Sequence, residues 1–166
     1  MPHADWSRRM MNRAMCFEGA AVLDSGALYS VANSHTPEGA RLNDTSLSGA
    51  LRLITPMVAF SNCCGMRMCW EADCSREHVA DPQLGLHAFH DRHGFEIVQP
   101  SIGFALQAGT LYGRCAEQHV VGSEVLSSCH AALLAKRENL PLVSVEDARY
   151  CYVPIPGLES IPVDFV

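Results

Sequence analysis

Gly19-Ala20-Ala21-Val22-Leu23-Asp24-Ser25-Gly26-Ala27-Leu28-Tyr29-Ser30-Val31-Ala32 is the stretch on which the fold turns. Two apolar runs, Ala20 to Leu23 and Ala27 to Ala32, flank Asp24-Ser25-Gly26. An Asp/Gly turn supplies the positive φ that a tight β connection needs, so the reading is a β-hairpin. A hairpin this early implies some antiparallel pairing.

Working outward, Ser7 to Met15 reads as a short helix before the hairpin. After it, Asn33 to Asp44 reads as a loop. Asp44 or Thr45 then caps a helix through Ile54, with Leu47, Leu51 and Ile54 on one face, and Pro56 ends or kinks it. Met57 to Phe60 is a short strand and Met66 to Val79 a helix. Pro82 opens a helix to His93, with Gly94 just past its end. Phe95 to Gln99, Ile102 to Leu106 and Thr110 to Tyr112 read as strands. Ala116 to Arg137 is the strongest helix, with Val120, Val121, Val125, Cys129, Ala132 and Leu133 as its apolar stripe. Pro141 to Val145 follows as a buried strand. Strands alternating with helices, plus the hairpin, predict an α/β fold: a single-domain layered sandwich with a mixed β-sheet flanked by helices. The domain is expected to span 1–166, with an extended proline-punctuated tail over 154–166 (Pro154, Pro156, Pro162).

The chain of 166 residues is long enough to bury a real core, roughly 70% of its unfolded surface. A net charge of -6 argues against general attraction to nucleic acid or an anionic membrane, although Arg8, Arg9 and Arg13 cluster locally. No window reaches the ~18 apolar residues of a membrane span. The first residues lack the apolar core of a signal peptide. A cytoplasmic protein is expected, in which eight cysteines are free thiols, metal ligands or catalytic groups before they are disulfides.

Cys115-Ala116-Glu117 lies where Leu111-Tyr112-Gly113-Arg114 meets the long helix. A thiolate at a helix N-terminus is stabilised by the dipole. Glu117 can reach a metal-bound water beside it, an arrangement suited to a zinc hydrolase. Gly113-Arg114-Cys115-Ala116-Glu117, the Ala-rich helix and Leu140-Pro141-Leu142-Val143-Ser144-Val145 resemble part of the zinc-dependent cytidine and blasticidin-type deaminases. The resemblance covers about a fifth of the chain. It implies Cys115 as a zinc ligand, Glu117 as proton shuttle and two further cysteines to complete the site. The family's downstream Cys-x-x-Cys is missing: Cys151 stands alone after Val145. Cys64 and Cys69, from Asn62-Cys63-Cys64-Gly65-Met66-Arg67-Met68-Cys69, are the candidates to replace it.

Other ligand-bearing groups stay open. Cys64, Cys69 and Cys74, spaced by five, turn about 140° apart on one helix and cannot share an ion there. Cys74 with His78, and Cys115 with His119, are i,i+4 pairs that can chelate. His87, His90 and His93 fan across ~120°, either as a pairwise metal site or as an exposed polar stripe over Leu84, Leu86 and Phe89. Cys115 with His119 or His130 is a candidate for nucleophilic catalysis. Glycine-rich phosphate-binding signatures are absent.

The expected function is a deaminase-like zinc hydrolase acting on a small amino-heterocycle or nucleoside. Glu117 is catalytic, and Cys115, Cys64 and Cys69 hold zinc. The alternative is a non-catalytic small-ligand or partner-binding domain with cysteines in its core. Expected partners are a small-molecule substrate and a second copy of the chain, with no nucleic acid and no membrane.

Overall fold

The computed structural model describes residues 19–65, 82–92, 94–158 and 163–166. β1 (Gly19–Leu23) leads into α1 (Ser25–Ala32), followed by α2 (Pro37–Leu47), β2 (Leu51–Pro56) and α3 (Met57–Gly65). Next come α4 (Pro82–His90), β3 (Phe95–Val98), α5 (Ile102–Glu117) and α6 (Ser123–Glu138). β4 (Leu142–Ser144), a 3-10 turn (Glu146–Ala148), α7 (Arg149–Tyr152) and β5 (Val163–Phe165) complete the described elements.

The chain does not turn back at Asp24. Asp24 has extended backbone, and its Oδ1 accepts the Ala27 N–H at 2.8 Å. That satisfies a donor which a helix start leaves open, so Asp-Ser-Gly caps a helix instead of making a hairpin. The consequence reaches the whole sheet. Its order is β3-β2-β1-β4-β5, and every one of the four pairings is parallel. The layered α/β sandwich stands; the mixed sheet does not, because the antiparallel hairpin it needed is a strand–helix unit.

Both faces of the sheet are covered, as a parallel sheet requires. Alternate residues of β1 point to opposite sides. Ala20 and Val22 share one core with Ile54, Leu142 and the inner faces of α5, α6 and α7. Ala21 and Leu23 share the other with Leu51, Leu53, Val143 and residues of α1 to α4. Each such Leu or Val buried contributes roughly 1.5–3 kcal/mol.

Several local readings change. The helix expected up to Ile54 instead begins at the Thr36 cap, whose Oγ1 accepts the Gly39 N–H, and stops at Leu47. Leu51 and Ile54 belong to β2. Met57 to Phe60 is helical, and Ile102 to Leu106 and Thr110 to Tyr112 lie within α5. Ser101 caps α5 through the Phe104 N–H, and Phe104, Ala108 and Cys115 are its buried residues. The single helix expected over Ala116 to Arg137 is broken between α5 and α6, where His119 has φ 62° and Gly122 φ 137°. The expected helices over Ser7 to Met15 and Met66 to Val79 lie outside the described residues. Among the described residues, no helix is long and apolar enough to cross a membrane.

Candidate functional site at the sheet switch point

β2 and β3 lie to one side of β1, and β4 and β5 to the other. The winding therefore reverses between β1 and β4. At such a switch point the carboxyl ends of parallel strands leave a crevice in which α/β proteins bind ligands. Asp24 follows β1 at this place, and Ser144 ends β4.

Asp24 is 1% exposed. Its Oδ2 accepts hydrogen bonds from Ser144 Oγ and from Tyr152 Oη, each at 2.5 Å. A second layer of neutral groups adjoins it: Asn62 Nδ2 donates to Ser25 Oγ at 3.0 Å, and Ser127 Oγ to the same atom at 3.1 Å. Thr55 Oγ1 donates to the Leu23 carbonyl at 2.9 Å. Gly26 lets α1 close on this edge, since a Cβ there would stand 2.6 Å from Val145 Cγ2. Burial raises the Asp24 carboxyl above its ordinary value, while its hydrogen bonds act the other way. Tyr152 is also raised, by burial and by the Asp24 charge.

A divalent cation of the magnesium kind is held by oxygen donors, carboxylates above all, that face it with free lone pairs. Among the described residues, Asp24 is the one carboxylate here; it is closed off from solvent, with both oxygens already accepting. The surrounding hydroxyls and amide are neutral. Among the described residues, no group of three or more His, Cys, Asp or Glu is placed to hold a metal ion. Among the described residues, the donors here do not fit a divalent-cation centre.

The site residues expected from the sequence lie elsewhere. Cys115 is buried near the C-terminal end of α5, so Cys-Ala-Glu closes a helix and does not open one. The positive dipole end that the zinc reading needed beside it is a helix length away. Glu117 is the exposed last residue of that helix. Cys64 packs against the core on the opposite face of the sheet from Cys115, so the two cannot ligate one ion. Cys69, Cys74, His78 and His93 lie outside the described residues. Cys115 does meet a thiol, Cys129 Sγ at 3.8 Å. Burial and that neighbour push the Cys129 thiol up to about 12, which marks an inert core sulfur. His119 has left the helix, so the Cys115–His119 chelate is lost. His130 is buried against Phe104, with Nδ1 unpartnered and its pKa lowered by burial. His87 and His90 are exposed over buried Leu86 and Phe89, the polar-stripe alternative.

No family model matches the chain, and no curated protein matches it. Solved structures do. VapBC2 from Rickettsia felis bound to a DNA fragment from their promoter matches with a TM-score of 0.56 at 15% identity, over 88% of this chain and 98% of that chain. VapBC-1 from nontypeable Haemophilus influenzae matches at 0.51 and 12%, over 88% and 97%. DNA-bound VapBC from Salmonella typhimurium matches at 0.51 and 16%, over 88% and 97%. The shared fold is PIN-like: one α/β domain with a five-stranded parallel sheet flanked by helices.

These likenesses overturn the deaminase resemblance and, with it, the zinc hydrolase acting on an amino-heterocycle or nucleoside. The three residues that carried it sit at the wrong end of a helix, and zinc finds no ligand set among the described residues. The alternative small-ligand domain gains no support either. The expectation of a small-molecule substrate without nucleic acid is corrected too. The neighbours are two-component assemblies, two of them on DNA, and a net charge averaged over a chain does not decide what its complex touches.

Proposed function

We propose that this chain is the PIN-like member of a two-protein assembly of the VapBC kind that works on nucleic acid in the cytoplasm. Its support is the fold likeness, which runs over nearly the full length of each neighbour and most of this chain. The PIN-like fold also implies nuclease chemistry with magnesium or manganese. The described residues of the switch point do not fit that ion, so no cleavage step follows from them. The single observation that shapes this reading is Asp24, the one carboxylate at the switch point among the described residues, whose oxygens accept from Ser144, Tyr152 and the α1 N-terminus.

The test is to isolate the tagged chain from its own cells and, separately, to incubate the pure chain with single-stranded and structured RNA, with and without Mg2+ or Mn2+. A stoichiometric second protein and co-eluting nucleic acid are expected, with no cation-dependent cleavage and no Mn2+ heat in calorimetry. A chain recovered alone and free of nucleic acid defeats the assembly reading. Cleavage that needs Mn2+ and disappears in Asp24→Asn restores the metal-dependent nuclease.

A further inference from the structure

A groove of about 450 Å³ runs between α5, α6 and the turn at 155–158, away from the switch point. Its floor is apolar, formed by Leu111, Leu133, Ile155 and Leu158, and its rim carries Arg114 and Lys136.

Those two cations are singular among the described residues. Arg41, Arg52, Arg137 and Arg149 each pair with a glutamate. Arg92 donates to Asn43. Arg114 and Lys136 alone have no carboxylate or amide partner among the described residues, and both face the same groove. The Lys136 ammonium lies over Gly157 (φ +75°), where a Cβ would stand 2.6 Å from the nitrogen. On the same helix as Arg114, Ile102 (83% exposed) and Leu106 (68% exposed) are exposed apolar side chains outside the groove lining. Among the described residues, the lining includes no aromatic ring on which a base could stack, which disfavours a nucleic-acid strand as occupant. An apolar floor beneath two unmatched cations on an acidic chain suits a peptide bearing leucine-type side chains and carboxylates.

We propose that this groove seats an acidic, leucine-rich segment of the partner protein. The inference rests on the two-protein reading above and names where the partner docks.

A fluorescein-labelled nonapeptide alternating leucine with glutamate or aspartate is the probe, titrated with the full chain and read by anisotropy. Controls are the same peptide with lysine for each acid and a single-stranded RNA of equal length. The acidic peptide is expected to bind and to weaken several-fold between 50 and 300 mM salt, on the order expected for screened charge. Binding should fall at least tenfold in Arg114→Glu/Lys136→Glu, on the order of one charge-assisted contact. The neutral pair Arg114→Gln/Lys136→Gln gives the same reading with a milder change, should the reversal disturb folding. No binding at millimolar peptide, equal binding by the double variants, or preference for the RNA overturns the proposal. Because this readout needs neither cellular partner nor nuclease assay, a failed groove leaves the assembly reading standing, and a chain isolated alone leaves the groove result interpretable.

Discussion

Asp24 decides more than any other residue. It caps α1, ends β1 and anchors the hydroxyl network, all while buried. Replacing it with alanine removes a cap, at about 1 kcal/mol, and strands the Ser144 and Tyr152 hydroxyls, at about 1–3 kcal/mol each. Denaturant unfolding of Asp24→Ala should therefore show a loss of at least 2 kcal/mol, on the order of that sum. Asparagine keeps the cap through Oδ1 and removes the charge, while its Nδ2 meets the Ser144 and Tyr152 hydroxyls as a donor, so those two bonds reverse. The sign follows from linkage. Burial raises the folded carboxyl above its ordinary 3.8, so the folded state binds the proton more tightly than the unfolded chain does. The stability this group contributes is complete below 3.8 and is lost as pH rises through the raised value. Asp24→Asn should consequently gain on the wild type as pH is raised from acid to neutral. Parallel stability profiles for the two proteins count against a costly buried charge. Asp24 was visible in the sequence only as a turn residue. A carboxylate directly after Ala21-Val22-Leu23 was the available signal, but it carries meaning only once that run is known to be a parallel strand.

Elements were legible where the burial pattern is local. β3, β4 and the start of α4 were read at nearly their observed positions, since each is bounded by proline or glycine. Misreadings concentrate where one apolar run suits two periods. Ile102 to Leu106 looks like a strand until Ser101 is recognised as a cap and Phe104, Ala108 and Cys115 as one helical face. The α5–α6 break hides in apolar Val120-Val121, which continues a helical stripe in sequence while the backbone has already turned at His119. Gly26 tests how tightly the first element pair is fitted. A methyl there would meet Val145 at 2.6 Å, an overpacking worth about 1–3 kcal/mol. Against it stands a helix-propensity gain of at most about 1 kcal/mol. Gly26→Ala should thus destabilise, and adding Val145→Ala should recover part of the loss. Strict additivity of the two changes by chemical denaturation would mean that the contact does not govern α1 docking.

At the scale of the molecule, the sequence showed the class but not the winding. Alternation of strands and helices is a local property. That β1 lies between β2 and β4 is not, because its partners come from segments far along the chain. The same non-local arrangement gives β5 a role its short length conceals. Val163, Asp164 and Phe165 register with Leu142, Val143 and Ser144, and the Val166 N–H donates to the Ser144 carbonyl at 2.9 Å. Phe165 also lies under the Arg149 guanidinium at 4.5 Å. β5 therefore covers the outer edge of β4, the strand whose last residue holds Asp24. Deleting residues 163–166 leaves β4 bonded on one side only and exposes an unpaired parallel edge, a template for pairing with another chain. The truncated protein should melt several degrees lower, at roughly 2–4 °C for each kcal/mol lost in a domain of this size. It should also sediment as larger species as concentration rises. Because the loosened strand carries Ser144, the pH dependence assigned to Asp24 should shrink in the same truncation. An unchanged melt, a single sedimenting species and an intact pH profile would together show that the sheet closes without β5.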